Sequence, residues 1–314
     1  MKLVVQCSCL NEEETLGTVL EEIPKKIAGI DSIEIVIVDD GSTDKTLEVA
    51  RRHGAAHIVR HAGRQGLGRG FRDALEKSLE IGADIIVHTD GDNQYPGEAI
   101  PRLIGPILAG KADMVIADRQ VQTIEHFSPL KKMLQQLGTK VLNAAANTKV
   151  PDAPSGFRAY SREAAMRLNN ITTFSYTMEL LIQAGNKQLA ITSVPIAVNA
   201  KTRESRLFTS YPQYLKRSGS AIIRAFIMYR PYAFFGTVGG LLLLLGAVPF
   251  ARFLFFLVVD QNGSGHLQSL ILGSVLLVAA FIAFTLGVLA DLIRINRILV
   301  EQSLEHQKHL RFDK

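Results

Sequence analysis

The sequence has no tryptophan and only two cysteines among its 314 residues. Any motif that needs an indole is therefore absent. Cys7 and Cys9 lie two residues apart in an extended-looking segment, so both thiols share one face, and they read as buried thiols rather than a redox or metal pair. Glycine is missing from the first strand-to-helix turn, CSCLNEEET, and the GLGRG at 66–70 lacks the dinucleotide spacing. An NAD-binding turn is excluded, and so is the Gly-rich turn of a nucleotidyltransferase. Acidic residues are scarce near the end: 201–314 carries 6 Asp+Glu against 13 Lys+Arg, whereas 1–200 carries 24 against 22. A basic excess confined to the C-terminal part favours an anionic membrane surface and no nucleic acid, since a polynucleotide binder carries its basic footprint on the folded domain. The N-terminus MKLVVQCSCL is too short and strand-like for a secretory signal, which implies a folded part that stays in the cytoplasm. The eight histidines show no ligand spacing, and His88 reads as a strand residue.

What is present is apolar. The chain is 47% hydrophobic, with mean hydropathy +0.15, high for a purely soluble protein, and its length suggests about two domains. Val- and Ile-rich runs at 2–9, 33–38, 84–89 and 113–117 alternate with helix-like stretches at 13–27, 44–53, 67–81 and 97–109. This pattern predicts an α/β fold, a mostly parallel sheet with helices on both faces. Asn11 and Glu12 follow the first run, Asp39 and Asp40 the second, Asp90 and Asp92 the third, and Arg119 the fourth. Open α/β sheets bind ligands at the carboxyl ends of their strands, so four separate segments point at one crevice.

The segment HTDGDNQYP crowds Asp90 and Asp92 behind a buried-looking strand. Two carboxylates that close repel each other unless a cation compensates. Oxygen ligands of this kind suit Mg²⁺ or Mn²⁺ shared with the phosphates of a nucleotide. The bland alternative is a turn in which Asn, Asp, Gly and Pro only shape the loop.

The segments SCLNEEETL, IVIVDDGSTDKT, TDGDNQYP, MVIADR and VPDAPSGFRAYSREAA, spanning roughly 3–207, resemble the family 2 glycosyltransferases of the GT-A fold. The resemblance is to the polyprenyl-phosphate sugar transferases, such as dolichyl-phosphate mannosyltransferase and undecaprenyl-phosphate glucosyltransferase. It implies transfer of a hexose-type sugar, with inversion, from a UDP- or GDP-sugar donor to undecaprenyl or dolichyl phosphate. Asn11, Glu12 and Asp40 would then contact the donor nucleoside with Asp39 beside them, and Asp90, Asp92 and Gln94 would hold metal and diphosphate. Asp152, Ser155 and Arg158 would lie where sugar and acceptor meet, and Arg119 would face the acceptor phosphate. Asp92 and Asp152 are the residues expected to carry catalysis.

Three departures matter. Leu10 stands where an aromatic residue is common in the family, which leaves the base open. The acceptor helix reads PLKKMLQQ, so Lys131 or Lys132 would supply its charge and Gln136 would replace a hydroxyl; lysine offers a point charge without the arginine fork. The later arginine motif reads KTRESRLF, which makes Arg203 the expected phosphate partner on the donor side and Arg206 the second. A phosphate monoester has a second pKa of about 6 and needs no strong base, so Asp152 is expected to orient a basic partner or steady charge at the anomeric carbon. A processive polysaccharide synthase would need a Q-x-x-R-W element, absent here. A non-catalytic nucleotide-sugar-binding regulator is the other alternative.

Residues 233–250 and 267–290 contain no charge, and about 20 helical residues cross a bilayer core. The first span either stops near Ala251 or continues to 259 and carries Arg252. Lys and Arg flank the pair and are absent from the link DQNGSGH, so the link is expected outside and both flanks inside. The expected divisions are a catalytic domain at 1–207, an amphipathic interfacial helix at 208–232, a hairpin at 233–290 with spans 233–251 and 267–290 around link 260–266, and a C-terminal helix at 291–314. That last helix is expected to pack on the soluble domain or on a second copy in a homo-oligomer.

Overall fold

The computed structural model describes residues 1–121, 129–171, 176–199, 219–220, 223, 226–259 and 266–313, with the side chains of 129–131 outside that set. Two compact units result: Met1–Ile222 together with Glu301–Lys314, and Ile223–Val300.

The first unit is built on one sheet. Its strands are β1 (Lys2–Cys9), β2 (Ser32–Asp39), β3 (His57–Arg60), β4 (Ile85–Asp90), β5 (Met114–Asp118), β6 (Arg158–Ser161) and β7 (Ile191–Pro195). They lie in the order β3-β2-β1-β4-β6-β5-β7. Every pairing is parallel except those of β6, which runs antiparallel to β4 and β5. The central strands β1 and β4 are buried almost throughout, which accounts for their continuous apolar runs, since a strand covered on both faces need not alternate.

The helices are α1 (Leu16–Glu21), α2 (Thr46–Arg52), α3 (Leu67–Glu80), α4 (Ile100–Leu108), α5 (Pro129–Ala146), α6 (Arg162–Arg167) and α7 (Tyr176–Asn186). Leu3, Val5, Cys7 and Cys9 of β1 join Leu16, Val19 and Leu20 of α1 and Leu103 and Ile104 of α4 in one core. On the opposite face Gln6 meets α3, where Ser78 Oγ lies 3.2 Å from Gln6 Oε1. Helices thus cover both faces, as expected. The two thiols are buried and share a face, with sulfurs 3.7 Å apart, and the Cys7 contact together with burial pushes the Cys9 thiol well above its ordinary pKa.

Where the sequence predicts a helix over 13–27, only Leu16–Glu21 is helical; Pro24 disfavours a helical backbone at the residue before it. The short strands β3, β6 and β7 lie outside the four runs that the sequence pattern marks.

The second unit contains α8 (Pro231–Val259) and most of α9 (Leu267–Phe312). Both are long and apolar enough to cross a membrane, with mean hydropathy 2.4 and 2.5. Helix α8 runs through Arg252 to Val259; its 29 residues extend about 43 Å. The two helices pack where small residues let them approach: a Cβ on Gly246 would lie 2.9 Å from Leu276 Cβ, and one on Gly273 would lie 2.8 Å from the Phe250 backbone nitrogen. The expected divisions at 251 and 290 are not element boundaries, because both helices run through them.

From Glu301 onward α9 belongs to the first unit. Lys187 Nζ lies 3.3 Å from Glu305, and Arg167 Nε lies 3.4 Å from the same carboxylate. Arg162 donates to the Phe312 carbonyl at 2.5 Å. Lys308 donates to the carbonyls of Leu168 and Ala165, at 2.7 and 3.3 Å, just past the end of α6. The C-terminal segment therefore packs on its own soluble domain. The expected interfacial helix falls mostly outside the described residues, as do link residues 260–265.

Candidate active site

Strand register brings the polar residues together. Cys9 pairs with Asp39 and Ser8 with Asp90, so the segments after β1, β2 and β4 leave the sheet at the same end. Because β6 is antiparallel, its first residue, Arg158, pairs with His88 and Ile116 near the carboxyl ends of β4 and β5. The 152–157 loop therefore enters the sheet at that end too. This reversal, and not sequence proximity, delivers Asp152 to the crevice.

The centre of the arrangement is Tyr95. Its hydroxyl accepts the Gly156 N–H at 3.2 Å, and its ring stacks on Phe157 with centroids 5.2 Å apart. Burial pushes the Tyr95 phenol up, the Arg119 charge pulls it down and the Asp90 charge raises it again, so charges of both signs surround one hydroxyl. Gly156 is required by closeness: a Cβ there would lie 2.9 Å from the Tyr176 hydroxyl and 3.2 Å from Asp90 Oδ2.

Asp152 is 2% exposed. Its carboxylate receives the Arg119 guanidinium as a fork, Nε to Oδ2 at 2.7 Å and an NH₂ to Oδ1 at 2.9 Å. Asp90 is about one-third exposed, and the ring nitrogen His88 Nε2 lies 3.7 Å from its Oδ1. Among the described residues Asp90 accepts no hydrogen bond. Asp92 accepts the Gln94 backbone N–H at 3.2 Å and its side-chain amide at 3.0 Å. Asp90 with its open lone pairs, Asp92 and the Gln94 side-chain amide offer hard oxygen atoms of the kind a divalent cation takes. His88 was expected to be a plain strand residue; its buried Nε2 has no hydrogen-bond partner and lies on the Asp90 side.

The side of the crevice formed by Asn11, Glu12 and Asp40 is more tightly braced. Asn11, in a left-handed conformation at φ 56°, accepts the Thr43 N–H on Oδ1 at 2.8 Å. Glu12 is buried, and its backbone N–H donates to Thr46 Oγ1 at 2.8 Å. Asp40 accepts the backbone N–H groups of Gln65 and Gly66 at 2.7 and 2.9 Å and meets His61 Nδ1 at 2.9 Å.

Three of the expected residues are turned inward. Asp39 is fully buried and accepts the Ser42 N–H at 3.0 Å, which shapes the turn. Arg158 is fully buried, with its donors on the carbonyls of Ser155, Thr177 and Ala153 at 2.8, 2.9 and 2.6 Å; a guanidinium so engaged braces the loop. Ser155 is also fully buried, with no partner for its hydroxyl. Lys132 is half-buried and Gln136 exposed on α5, while the side chain of Lys131 and residues Arg203 and Arg206 lie outside the described set. Tyr95 and Gly156 sit inside quoted motifs, yet neither residue type signals its role without the tertiary contacts.

The fold and this crevice define a nucleotide-sugar transferase of the GT-A kind. The family pattern described as Glycosyl transferase family 2 matches residues 6–168, and the chain belongs to that family. Among curated relatives, the low-salt glycan biosynthesis hexosyltransferase Agl6 of Haloferax volcanii is 32% identical, over 67% of this chain and 50% of its own length. The dolichyl-phosphate hexose transferase of the same organism is 31% identical, over 65% of this chain and 86% of its own. The dolichol-phosphate mannosyltransferase of Pyrococcus furiosus is 32% identical, over 66% of this chain and 59% of its own. The chain thus spans only half to three-fifths of two of these relatives. Among solved structures, glucosyl-3-phosphoglycerate synthase of Mycobacterium tuberculosis, bound to Mn²⁺, UDP and phosphoglyceric acid, shares the fold at TM-score 0.56 and 23% identity, over 72% of this chain and 77% of its own.

Proposed function

We propose that the chain transfers a hexose-type sugar from a UDP- or GDP-sugar to a polyprenyl phosphate at the cytoplasmic face of the membrane. The observation that carries this reading is the crevice in which Gly156 sits against both Tyr95 and Asp90, with Arg119 and Asp152 joined as a fork. The relatives' printed names, dolichyl-phosphate hexose transferase and dolichol-phosphate mannosyltransferase, support the acceptor class.

In this reading Asp90, Asp92 and Gln94 hold Mg²⁺ or Mn²⁺, and the ion when bound supplies Lewis-acid stabilisation of the departing nucleoside diphosphate. Asn11, Glu12 and Asp40 contact the nucleoside. The acceptor phosphate is already ionised at neutral pH, so it attacks without a strong base. Asp152, engaged in a fork, acts as the residue that aims Arg119 at that phosphate, and burial of the pair strengthens the orientation. Lys132 adds a second positive charge. Helices α8 and α9 anchor the chain as membrane spans.

The test is to incubate the purified full-length chain, in detergent or nanodiscs, with a panel of UDP- and GDP-sugars and undecaprenyl phosphate, with Mn²⁺ or Mg²⁺ and with EDTA. Metal-dependent appearance of a lipid-linked sugar is expected. Nucleotide-sugar binding without transfer from any donor would favour a non-catalytic regulator instead.

A further inference from the structure

We infer that His61 is a positioning residue of the donor subsite: it fixes the Asp40 carboxylate, and thereby sets affinity for the nucleoside diphosphate. The inference rests on the donor reading above, in which Asp40 faces the nucleoside.

His61 follows β3 immediately, and its backbone N–H donates to the Asp39 carbonyl at 2.9 Å. Its ring is largely buried between two carboxylates, with Nδ1 at 2.9 Å from Asp40 Oδ1 and Nε2 at 3.0 Å from Asp73 Oδ2. A carboxylate oxygen accepts, so a ring nitrogen facing one must carry hydrogen. With both nitrogens so placed, His61 bridges the two acids through both sides of its ring.

The far end of the bridge is anchored. Arg69 Nε reaches both Asp73 oxygens, at 2.8 and 3.1 Å, and Arg72 Nε lies 3.5 Å from Oδ1. Burial works against the charge on Asp73, but the hydrogen bonds from Arg69 and His61 hold its carboxyl below the ordinary range. Asp73 is thus a fixed anion, and His61 is a strut set against it.

The near end leaves one position open. A carboxylate offers about four lone-pair sites. On Asp40, Oδ1 takes His61 and the Gln65 N–H while Oδ2 takes the Gly66 N–H, which leaves a single acceptor site on Oδ2 among the described residues. One such site suits one N–H on a nucleobase edge. Loop geometry keeps it there: Gly41 sits at φ +86°, and a Cβ on it would lie 3.0 Å from Gly63 Cα. The turn after β2 and the loop after His61 are therefore in backbone contact.

The test is titration of UDP and of GDP, each with Mn²⁺, into the full-length protein and into His61→Phe and Asp73→Asn. His61→Phe keeps a ring but removes both donors. The Kd of the nucleotide that the wild type binds should rise roughly tenfold, the loss expected for one charge-assisted hydrogen bond. The donor KM should rise in parallel, with acceptor KM and kcat at saturating donor within twofold. Asp73→Asn, which keeps the contact but removes the anchoring charge, should give a smaller rise in the same direction and serves if His61→Phe does not fold. Unchanged Kd in both variants, or a lower kcat with unchanged donor KM as a folding defect would give, overturns the role of His61 alone. If the wild type binds neither UDP nor GDP, the donor reading falls and this inference with it.

Discussion

Arg119 and Asp152 lie 33 residues apart in sequence and meet as a two-bond fork, with the Arg119 backbone N–H also 3.2 Å from Asp152 Oδ2. That geometry supports the aiming role proposed for the aspartate. A carboxylate engaged by a guanidinium on both oxygens is a poor proton acceptor and a good aiming device. Arg119→Lys keeps the charge and loses the fork. It should lower kcat/KM for the lipid acceptor by about 10- to 100-fold, with nucleotide Kd from titration within twofold.

Asp92→Asn should leave the circular dichroism spectrum unchanged and nearly abolish Mn²⁺-dependent transfer. The amide cannot supply the charge of a hard oxygen ligand. Turnover like that of the wild type would refute the metal assignment.

Gly156→Ala introduces a methyl that would lie 2.9 Å from the Tyr176 hydroxyl and 3.2 Å from Asp90. Overpacking of this kind costs about 1–3 kcal/mol. The expected result is a melting temperature lower by several degrees together with weaker Mn²⁺ binding in the presence of UDP, measured by electron paramagnetic resonance. Binding as tight as in the wild type would separate Gly156 from the carboxylate site.

Lys308 is mostly buried, and burial lowers its pKa to about 8 from the ordinary 10.5. Between those two values the unfolded chain binds more protons than the folded one, so the contribution of this group to stability rises with pH from about 8 to 10.5. Below about 8 the buried charge carries its full cost, on the order of 3 kcal/mol. Lys308→Met should therefore gain most relative to wild type near pH 7 and lose that advantage by pH 10. Hydrogen exchange of residues 303–312 at the two pH values measures it, and parallel behaviour of the two proteins would sink the argument.

A cut at residue 230 removes more than the apolar helices, because Glu301–Lys314 packs on the soluble unit. Deleting 301–314 alone should lower the melting temperature of the soluble unit and speed hydrogen exchange in α6, whose end carries the Lys308 contacts. Transfer to long-chain polyprenyl phosphate should be compared between that deletion and the cut at 230. A larger loss in the cut at 230 is expected if α8 and α9 bring the acceptor to the site.

Much of the architecture was legible in the sequence because burial on both faces leaves unbroken apolar runs. Strands β1, β2, β4 and β5 appear within a residue of their observed limits, and the acidic motifs behind them mark the carboxyl end of the sheet. Strand β6 was not legible: four residues, RAYS, carry too little pattern to reveal a strand, still less its direction. Asp39, Arg158 and Ser155 looked like binding residues by motif, yet burial turned each of them inward.

The sequence by itself determined the class of fold, the end of the sheet where the polar motifs gather and two helices apolar enough for a bilayer, since these follow from local periodicity and composition. Only the tertiary structure decided which polar groups share the crevice. Antiparallel β6 brings Asp152 to Arg119, the strut through His61 braces Asp40, and the last turns of α9 return to α6. Each of these joins residues far apart in sequence, and such contacts form only when the chain closes on itself.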